Sequence, residues 1–250
     1  MSMPPDTLAI ETACLSAWPS RLLVQDRSWQ WRLSGGYTKR ANSVHCLDPA
    51  DDADAPARLA AMADLYASHG APPVFRVTPL AGPGVVAALD AAGWQSFEPS
   101  LVLAMPMPQS LSAPLHAVTL LRVTDPEWQA VQARLSGYDK ATSRELAAIL
   151  ERIAVPARAI LIHDEAGAPV AAALAMVSSG IGVYLNVVVD AARRGHGFGR
   201  ALMQAALRFT QAEGARHAAI QVLAANMPAV TLYTGLGFAE VYRYHYRRPA

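Results

Sequence analysis

The stretch Val187-Val188-Val189-Asp190-Ala191-Ala192-Arg193-Arg194-Gly195-His196-Gly197-Phe198-Gly199-Arg200-Ala201-Leu202 holds the densest chemistry in the chain. A β-branched run predicts a strand, closely spaced glycines predict a turn, and the apolar periodicity that follows predicts a helix. Glycine lets the main chain approach a ligand closely and take up positive φ. The free N–H groups at the start of a helix, with the positive end of its dipole, bind phosphate oxygens. Arg193, Arg194 and Arg200 add charge of the right sign. The pattern is Arg-x-x-Gly-x-Gly starting at Arg194. It is neither the GxGxxG of a dinucleotide fold nor a nucleotide P-loop, which needs Gly-Lys-Ser/Thr.

Several elements must hold this turn in place. A strand is expected over residues 116–123, then a helix with Asp125 as N-cap and Pro126 in its first turn. A second amphipathic helix over 143–154 would start at Thr142 or Ser143. Strands over 157–163, 170–177 and 181–189 form an antiparallel meander. After the glycine turn a long helix runs to near Gly214, followed by a strand over 218–223. A helix from near Asn226 is stopped by Gly235 and Gly237, and strands over 238–244 and around Tyr246 end the chain. The uncharged window between Glu165 and Asp190 is long enough to suggest a membrane span. Ser178-Ser179-Gly180 in its middle and the β-branched residues beyond favour two strands joined by a tight turn.

The first part reads as a blurred copy: a helix over 6–18, strands over 29–33 and 42–47, and a helix over 56–69. A strand over 74–77, a helix over 84–92 and a strand over 101–105 follow. Phe75-Arg76-Val77, a helix and Ala92-Gly93-Trp94 parallel Ile220-Gln221-Val222, a helix and Leu236-Gly237-Phe238, with the spacing differing by one residue. This looks like an internal repeat with one copy worn down. Pro106-Met107-Pro108-Gln109-Ser110 and Pro114 are the natural linker, so the expected domains are 1–112 and 113–250. The expected class is α/β (α+β): two domains, each a mixed, mostly antiparallel sheet flanked by helices.

Of the 250 residues, 52% are hydrophobic and 16% charged, ample for a large core and inconsistent with disorder. A net charge of +1 is no footprint for nucleic-acid binding. Residues 1–112 carry 7 basic and 10 acidic side chains, and residues 113–250 carry 14 and 10, so an anionic ligand is expected in the second part. Cys14 and Cys46 form no CxxC and no Cys/His cluster, so neither a disulfide framework nor a metal site is expected. The start lacks a basic n-region. A cytoplasmic protein that does not enter membranes is expected.

With these residues in view, the chain from about 115 to 248 resembles the GNAT acetyltransferase superfamily. The resemblance rests on Arg194-Gly195-His196-Gly197-Phe198-Gly199 after a strand and before the helix Arg200-Ala201-Leu202-Met203. It rests also on the later block Asn226-x-x-Ala229-x-x-x-Tyr233-x-x-Leu236-Gly237-Phe238. It implies a tandem arrangement with a degenerate N-terminal copy. It further implies that acetyl-CoA lays its pyrophosphate on the amides of residues 194–199 and its pantetheine arm along Val187 and Val189. Asn226 would lie beside that arm and Tyr233 near the thioester sulfur. A main-chain N–H at Val188 or Val189 would polarise the thioester carbonyl, and Tyr233 would give a proton to the departing thiolate. The acceptor would be a small-molecule or peptide amine.

Family members often place a Glu on the strand before the glycine turn. Here that strand reads Tyr184-Leu185-Asn186-Val187-Val188-Val189, without a carboxylate. Tyr184 and Asn186 would share a face by the period of two and hold a water that relays the proton. The missing base motivates an alternative, a non-catalytic acyl-CoA sensor. In the first part Asp48, Asp51, Asp52 and Asp54 stand where phosphates would dock, and Leu89 stands where Tyr233 would be. That half is expected not to bind CoA. Its Trp29, Trp31, Tyr37, Lys39, Arg40 and Asn42 could shape an acceptor pocket.

Overall fold

Short aspartates set the helix starts. In the computed structural model, which describes residues 5–113 and 115–250, Asp6 accepts from the Ala9 amide at 2.7 Å and opens α1 (Thr7–Ala17). Pro114 of the expected linker and residues 1–4 lie outside the described residues. After α1 come β1 (Leu22–Asp26), β2 (Trp29–Leu33), β3 (Val44–Cys46), α2 (Ala55–Ser68), β4 (Phe75–Val77), α3 (Pro83–Ala91) and β5 (Gln95–Pro106). The second half continues with β6 (Val118–Leu121), α4 (Pro126–Ser136) capped by Asp125, and α5 (Lys140–Leu150). Then follow β7 (Ala157–His163), β8 (Pro169–Ser178), β9 (Ile181–Val189), α6 (Phe198–Ala212), β10 (His217–Leu223), α7 (Met227–Thr234) and β11 (Ala239–Arg248).

Four elements depart from expectation, each for a local reason. α5 starts at Lys140 because the Asp139 side chain accepts from the Thr142 amide at 2.7 Å, ahead of the expected Thr142 or Ser143. β1 is an added element: among the described residues it pairs only with β2, and its apolar residues Leu22-Leu23-Val24 run together instead of alternating, which leaves no period of two to read. β5 starts six residues earlier than expected. It absorbs Pro99 at an irregularity where Tyr244 faces Ser100 and Tyr246 faces Phe97, so no ladder N–H is required of the proline. The last strands are one continuous β11. The charge-free window is the β8–β9 hairpin, turned at Ser179 (φ 51) and Gly180 (φ 75). No helix among the described residues is long and apolar enough to cross a membrane.

One mixed sheet of eleven strands, flanked by helices, runs in the order β1-β2-β3-β4-β11-β5-β10-β9-β8-β7-β6. Only β3–β4 and β9–β10 are parallel. About the central β11–β5 pair the order is pseudo-symmetric, β4 answering β10 and β3 answering β9. The last strand of each half crosses over: β11 pairs with β4, and β5 pairs with β10. The helix ends repeat too, Trp94 N–H donating to Leu89 O at 3.0 Å and Phe238 N–H to Tyr233 O at 3.1 Å. Gly93 and Gly237 take φ of +70° and +100° at these stops, where a side chain would be strained. α6 covers one face of the sheet with Leu202, Met203 and Leu207. α1, α4 and α5 cover the other around Trp18, Trp128 and Ile149, and α2 and α3 enclose Trp29, Tyr66 and Phe75.

One sheet runs across the expected division at residues 112 and 113. Expressed separately, residues 1–112 and 113–250 are each expected to lack a cooperative thermal transition, because β4 and β10 each lose a strand neighbour. Mixing the two pieces is expected to restore the transition in calorimetry. Cooperative melting of either piece alone would show that the crossover is dispensable.

At the crossover a buried polar knot joins the halves. Glu11 of α1 pairs with Arg76 of β4 and accepts from the Tyr242 hydroxyl of β11, while His45 Nδ1 lies 4.0 Å away. Arg76 also stacks on the Tyr244 ring at 3.8 Å. Burial alone would raise the Glu11 carboxyl, but Arg76 and His45 more than offset it and hold it at about 2. Burial pushes the His45 imidazole down to about 4 against the pull of Glu11. Both shifts act in one direction. The unfolded chain protonates His45 near 6.5 and Glu11 near 4.5, each before the folded protein does. Stability therefore falls with pH from 6.5 downward, and further between 4.5 and about 2. Glu11→Gln leaves Arg76 as an unpaired buried cation and is expected to cost about 3–5 kcal/mol in urea unfolding. An unchanged midpoint would show that the pair does not anchor the halves.

Candidate functional site

β9 and β10 run in register from Ile181–His217 to Tyr184–Ile220 and then part. The cause lies on β9. Leu185 faces Leu174 and Val188 faces Ala172, so Asn186 and Val187 together stand opposite Ala173. This is a β-bulge, and Asn186 takes φ +54° within it. The bulge bends β9 off its neighbour and opens a V between the strands. Asp190 N–H donates to Val170 O of β8 at 2.8 Å, so alternation turns the N–H and C=O of Val189 and Val187 into the opening. Val188 faces β8 instead, which removes it as the expected carbonyl-polarising amide.

Beyond β9 a 3-10 turn, Ala191–Arg193, leads to Gly195 and Gly197, at φ +81° and +83°. α6 begins at Phe198 without a side-chain cap. A Cβ added at Gly195 or Gly197 would meet no atom within 4 Å, so this main chain fronts open space. At Gly199 a Cβ would lie 3.1 Å from Leu232, so here glycine lets α6 and α7 pack closely. The resulting cleft of about 550 Å3 is walled by Val187, Val188, Val189, the glycine turn, Asn226, Leu232 and Tyr233.

The expected residues take different places around it. Arg194 lies exposed beside the cleft, its Nε donating to Val189 O at 3.4 Å. Arg193 is held by Asp164 at 3.0 Å, and Arg200 donates to Gly235 O at 3.2 Å, strapping α6 to the end of α7. His196 is exposed, with Nδ1 2.9 Å from Arg194 O. The Phe198 ring is buried against His116, ring centroids 4.3 Å apart, so Phe198 offers the cleft mainly its backbone. Asn226 caps α7, accepting from Ala229 N–H at 3.3 Å. Tyr233 is 5% exposed with its ring against Phe238, and burial pushes its phenol up to about 12.

Tyr233 also borders a second cavity of about 350 Å3, which shares Val187, Asn226 and Ala229 with the first. Its far wall comes from the first half: Tyr37, Thr38 and Arg40. Asn186 Nδ2 donates to the Tyr37 hydroxyl at 3.0 Å, which in turn donates to Tyr138 at 2.9 Å. The expected Tyr184–Asn186 pair does not form. The bulge breaks the period of two, and Tyr184 is buried on the α6 side, its hydroxyl 2.6 Å from that of Thr210. Of the first-half residues expected at an acceptor pocket, Trp29 is core, stacked under Arg58 at 3.9 Å. Asn42 shapes the loop by accepting from Ser34 N–H at 2.6 Å and donating to Tyr37 O at 2.9 Å. Tyr138, two residues past the end of α4, carries no signal in the sequence; only the fold brings it to this wall.

In the first half the Asp-rich loop before α2, which stands where the second half has its glycine turn, packs on the start of α3. Asp52 accepts from the Gly84 amide at 3.0 Å in the first turn of α3, and Asp51 holds Arg58 at 2.9 Å. A Cβ at Gly82 would lie 2.1 Å from Pro49 O, so the Asp-rich loop sits directly on the start of α3. Leu89 is buried at the position answering Tyr233.

A splayed pair of parallel strands, a glycine turn and an uncapped helix start define the class: this is the fold of the GNAT N-acetyltransferases. A protein-family profile described as "Probable histone acetyltransferase Rv0428c C-terminal" matches residues 6–247, and the chain belongs to that family. An uncharacterized N-acetyltransferase of Bacillus subtilis, YobR, is 24% identical over 97% of this chain and 98% of its own. Among solved structures, a GCN5-related N-acetyltransferase from Kribbella flavida covers 97% of this chain and 95% of its own at 20% identity, with a TM-score of 0.74. A tandem GNAT protein from the clavulanic acid biosynthesis pathway covers 82% of this chain and 72% of its own at 16% identity, with a TM-score of 0.66.

Proposed function

We propose that the protein moves the acetyl group of acetyl-CoA to a primary amine by direct attack within a ternary complex. The observation that carries this reading is the meeting of two cavities at Tyr233: one fronted by bare amides, the other walled by both halves. The residues present fit the donor. The uncapped first turn of α6 and the positive-φ glycines suit its diphosphate, with Arg194 beside them. The main chain of Val187 and Val189 turned into the opening suits a pantetheine amide pair, with Arg194 Nε, now 3.4 Å from Val189 O, giving way to it. The amine nitrogen attacks the thioester carbonyl carbon, and the Val189 N–H stabilises the oxyanion. The C–S bond then breaks and Tyr233 gives its phenolic proton to the sulfur, while the proton shed by the attacking nitrogen as the amide forms returns through water to the Tyr233 phenolate. In this reading residues 113–250 hold the donor, while residues 1–112 shape the acceptor side and bind no CoA.

A second reading has one observation in its favour: among the described residues no carboxylate lines the cavity where the amine would be deprotonated. An acyl-CoA sensor would need none. Thiol release from acetyl-CoA over a broad amine panel decides between them, with the CoA-induced rise in Tm measured alongside. Thiol release supports transfer, and a Tm rise without it supports the sensor. Absence of both removes the CoA site. The family description names a probable histone acetyltransferase.

A further inference from the structure

The acceptor side of the site carries a cation with nothing to balance it. Arg40 lies in the loop between β2 and β3 and borders two adjoining cavities, the one that reaches Tyr233 and a further one of about 280 Å3. Those cavities also share Thr38, Gln221, Val222 and Leu223, so they form a continuous path from the bulge at Asn186 outward. Lys39, next to Arg40, is neutralised by Glu98 at 2.8 Å. Among the described residues no carboxylate lies within ion-pair distance of Arg40, and its guanidinium makes no hydrogen bond. Tyr37 and Tyr138 on one side and Tyr244 and Tyr246 on the other supply an aromatic, hydroxyl-bearing lining.

We propose that the acceptor is an amine carrying a carboxylate on the same small molecule, an amino acid in the broad sense, and that Arg40 is the residue that selects it. This rests on the acetyl-transfer reading and names its substrate class. A guanidinium at a partly enclosed site pairs with a carboxylate through two parallel N–H···O bonds, which orients the ligand as well as holding it. By pairing with the ligand's carboxylate the guanidinium also cancels the negative charge that would otherwise hold the proton on the ammonium, which helps to deliver the neutral nucleophile. A lysine-rich peptide would instead bring like charge to a wall whose carboxylate, Glu98, is already paired with Lys39.

The test uses the full chain with acetyl-CoA and follows thiol release for amino acids with two to six carbons between amine and carboxylate, for the common α-amino acids, and for the primary amide of each. A lysine-rich peptide is run beside them. At least one acid is expected to exceed its amide tenfold or more in kcat/KM, chiefly through KM. In Arg40→Gln that ratio is expected to collapse towards one, and Arg40→Lys is expected to recover part of it. Equal rates for acids and amides, a preference for the peptide, or an acid preference that survives in Arg40→Gln each overturn the proposal while leaving acetyl transfer in place. Absence of thiol release with every amine removes acetyl transfer and the proposal together.

Discussion

Gly197→Asp is expected to raise the Kd of acetyl-CoA about 100-fold or more while leaving the melting temperature near that of the parent. The affinity loss corresponds to about 2.7 kcal/mol. Gly197 sits at φ +83°, and a Cβ there meets nothing within 4 Å. Asp is one of the few side chains that visit this region, at a cost of about 1–2 kcal/mol. It would also cap the first turn of α6, which has no cap of its own, and this offsets part of the strain. The same carboxylate would occupy the amides on which the diphosphate is proposed to rest, and repel it. The first half already holds such an arrangement, Asp52 seated on the Gly84 amide at 3.0 Å. Titration calorimetry with a thermal melt reads both quantities, and retained affinity would move the donor site elsewhere. Gly197→Ala, which adds strain without charge, is expected to lose only about tenfold, or about 1.4 kcal/mol.

Tyr233→Phe is expected to lower kcat about 100-fold, the lower end of the range for a positioned proton donor, with acetyl-CoA affinity unchanged within about twofold. The ring stays on Phe238 and only the hydroxyl is lost. Burial pushes that phenol to about 12, so it remains a donor throughout the neutral and moderately alkaline range. Protonation of a thiolate whose thiol has a pKa of about 8.5 in water would then run uphill. Burial shifts that balance by raising thiols as well: desolvation, with Glu11 nearby, pushes the half-buried Cys14 of this same protein up to about 12. The parent and the variant are expected to show the same alkaline dependence of kcat well below pH 12, since Tyr233 does not ionise there. Equal kcat in both proteins would take Tyr233 out of the mechanism.

The glycine turn was legible because its chemistry is local: Gly195 and Gly197 are chosen for their own φ angles, and the strand and helix around them follow from period and caps within a few residues. The helix stops were legible for a similar reason, since each needs its own glycine, at Gly93 and at Gly237. The face of Asn186 was not. Alternation assigned it beside Tyr184, and a single extra residue opposite Ala173 reversed it. The composition of β9 does not announce that bulge, because Asn186 adopts φ +54° without being glycine.

What neighbouring residues dictate to one another could be read from the chain directly: the Asp125 cap, the β8–β9 hairpin, the turn before α6 and the helix stop after Tyr233. What depends on partners far apart in the chain emerged only on folding. β11 and β5 each complete the other half's sheet, joining His245 to Val77 and Ile220 to Leu103. That crossover carries Tyr37 and Arg40 to the wall facing Tyr233, 149 residues in the chain separating Tyr37 from the Asn186 to which it bonds. Caps and turns gain their free energy within a few bonds of the residue concerned, whereas strand pairing and cavity walls gain theirs from burial between segments whose sequences carry no record of each other.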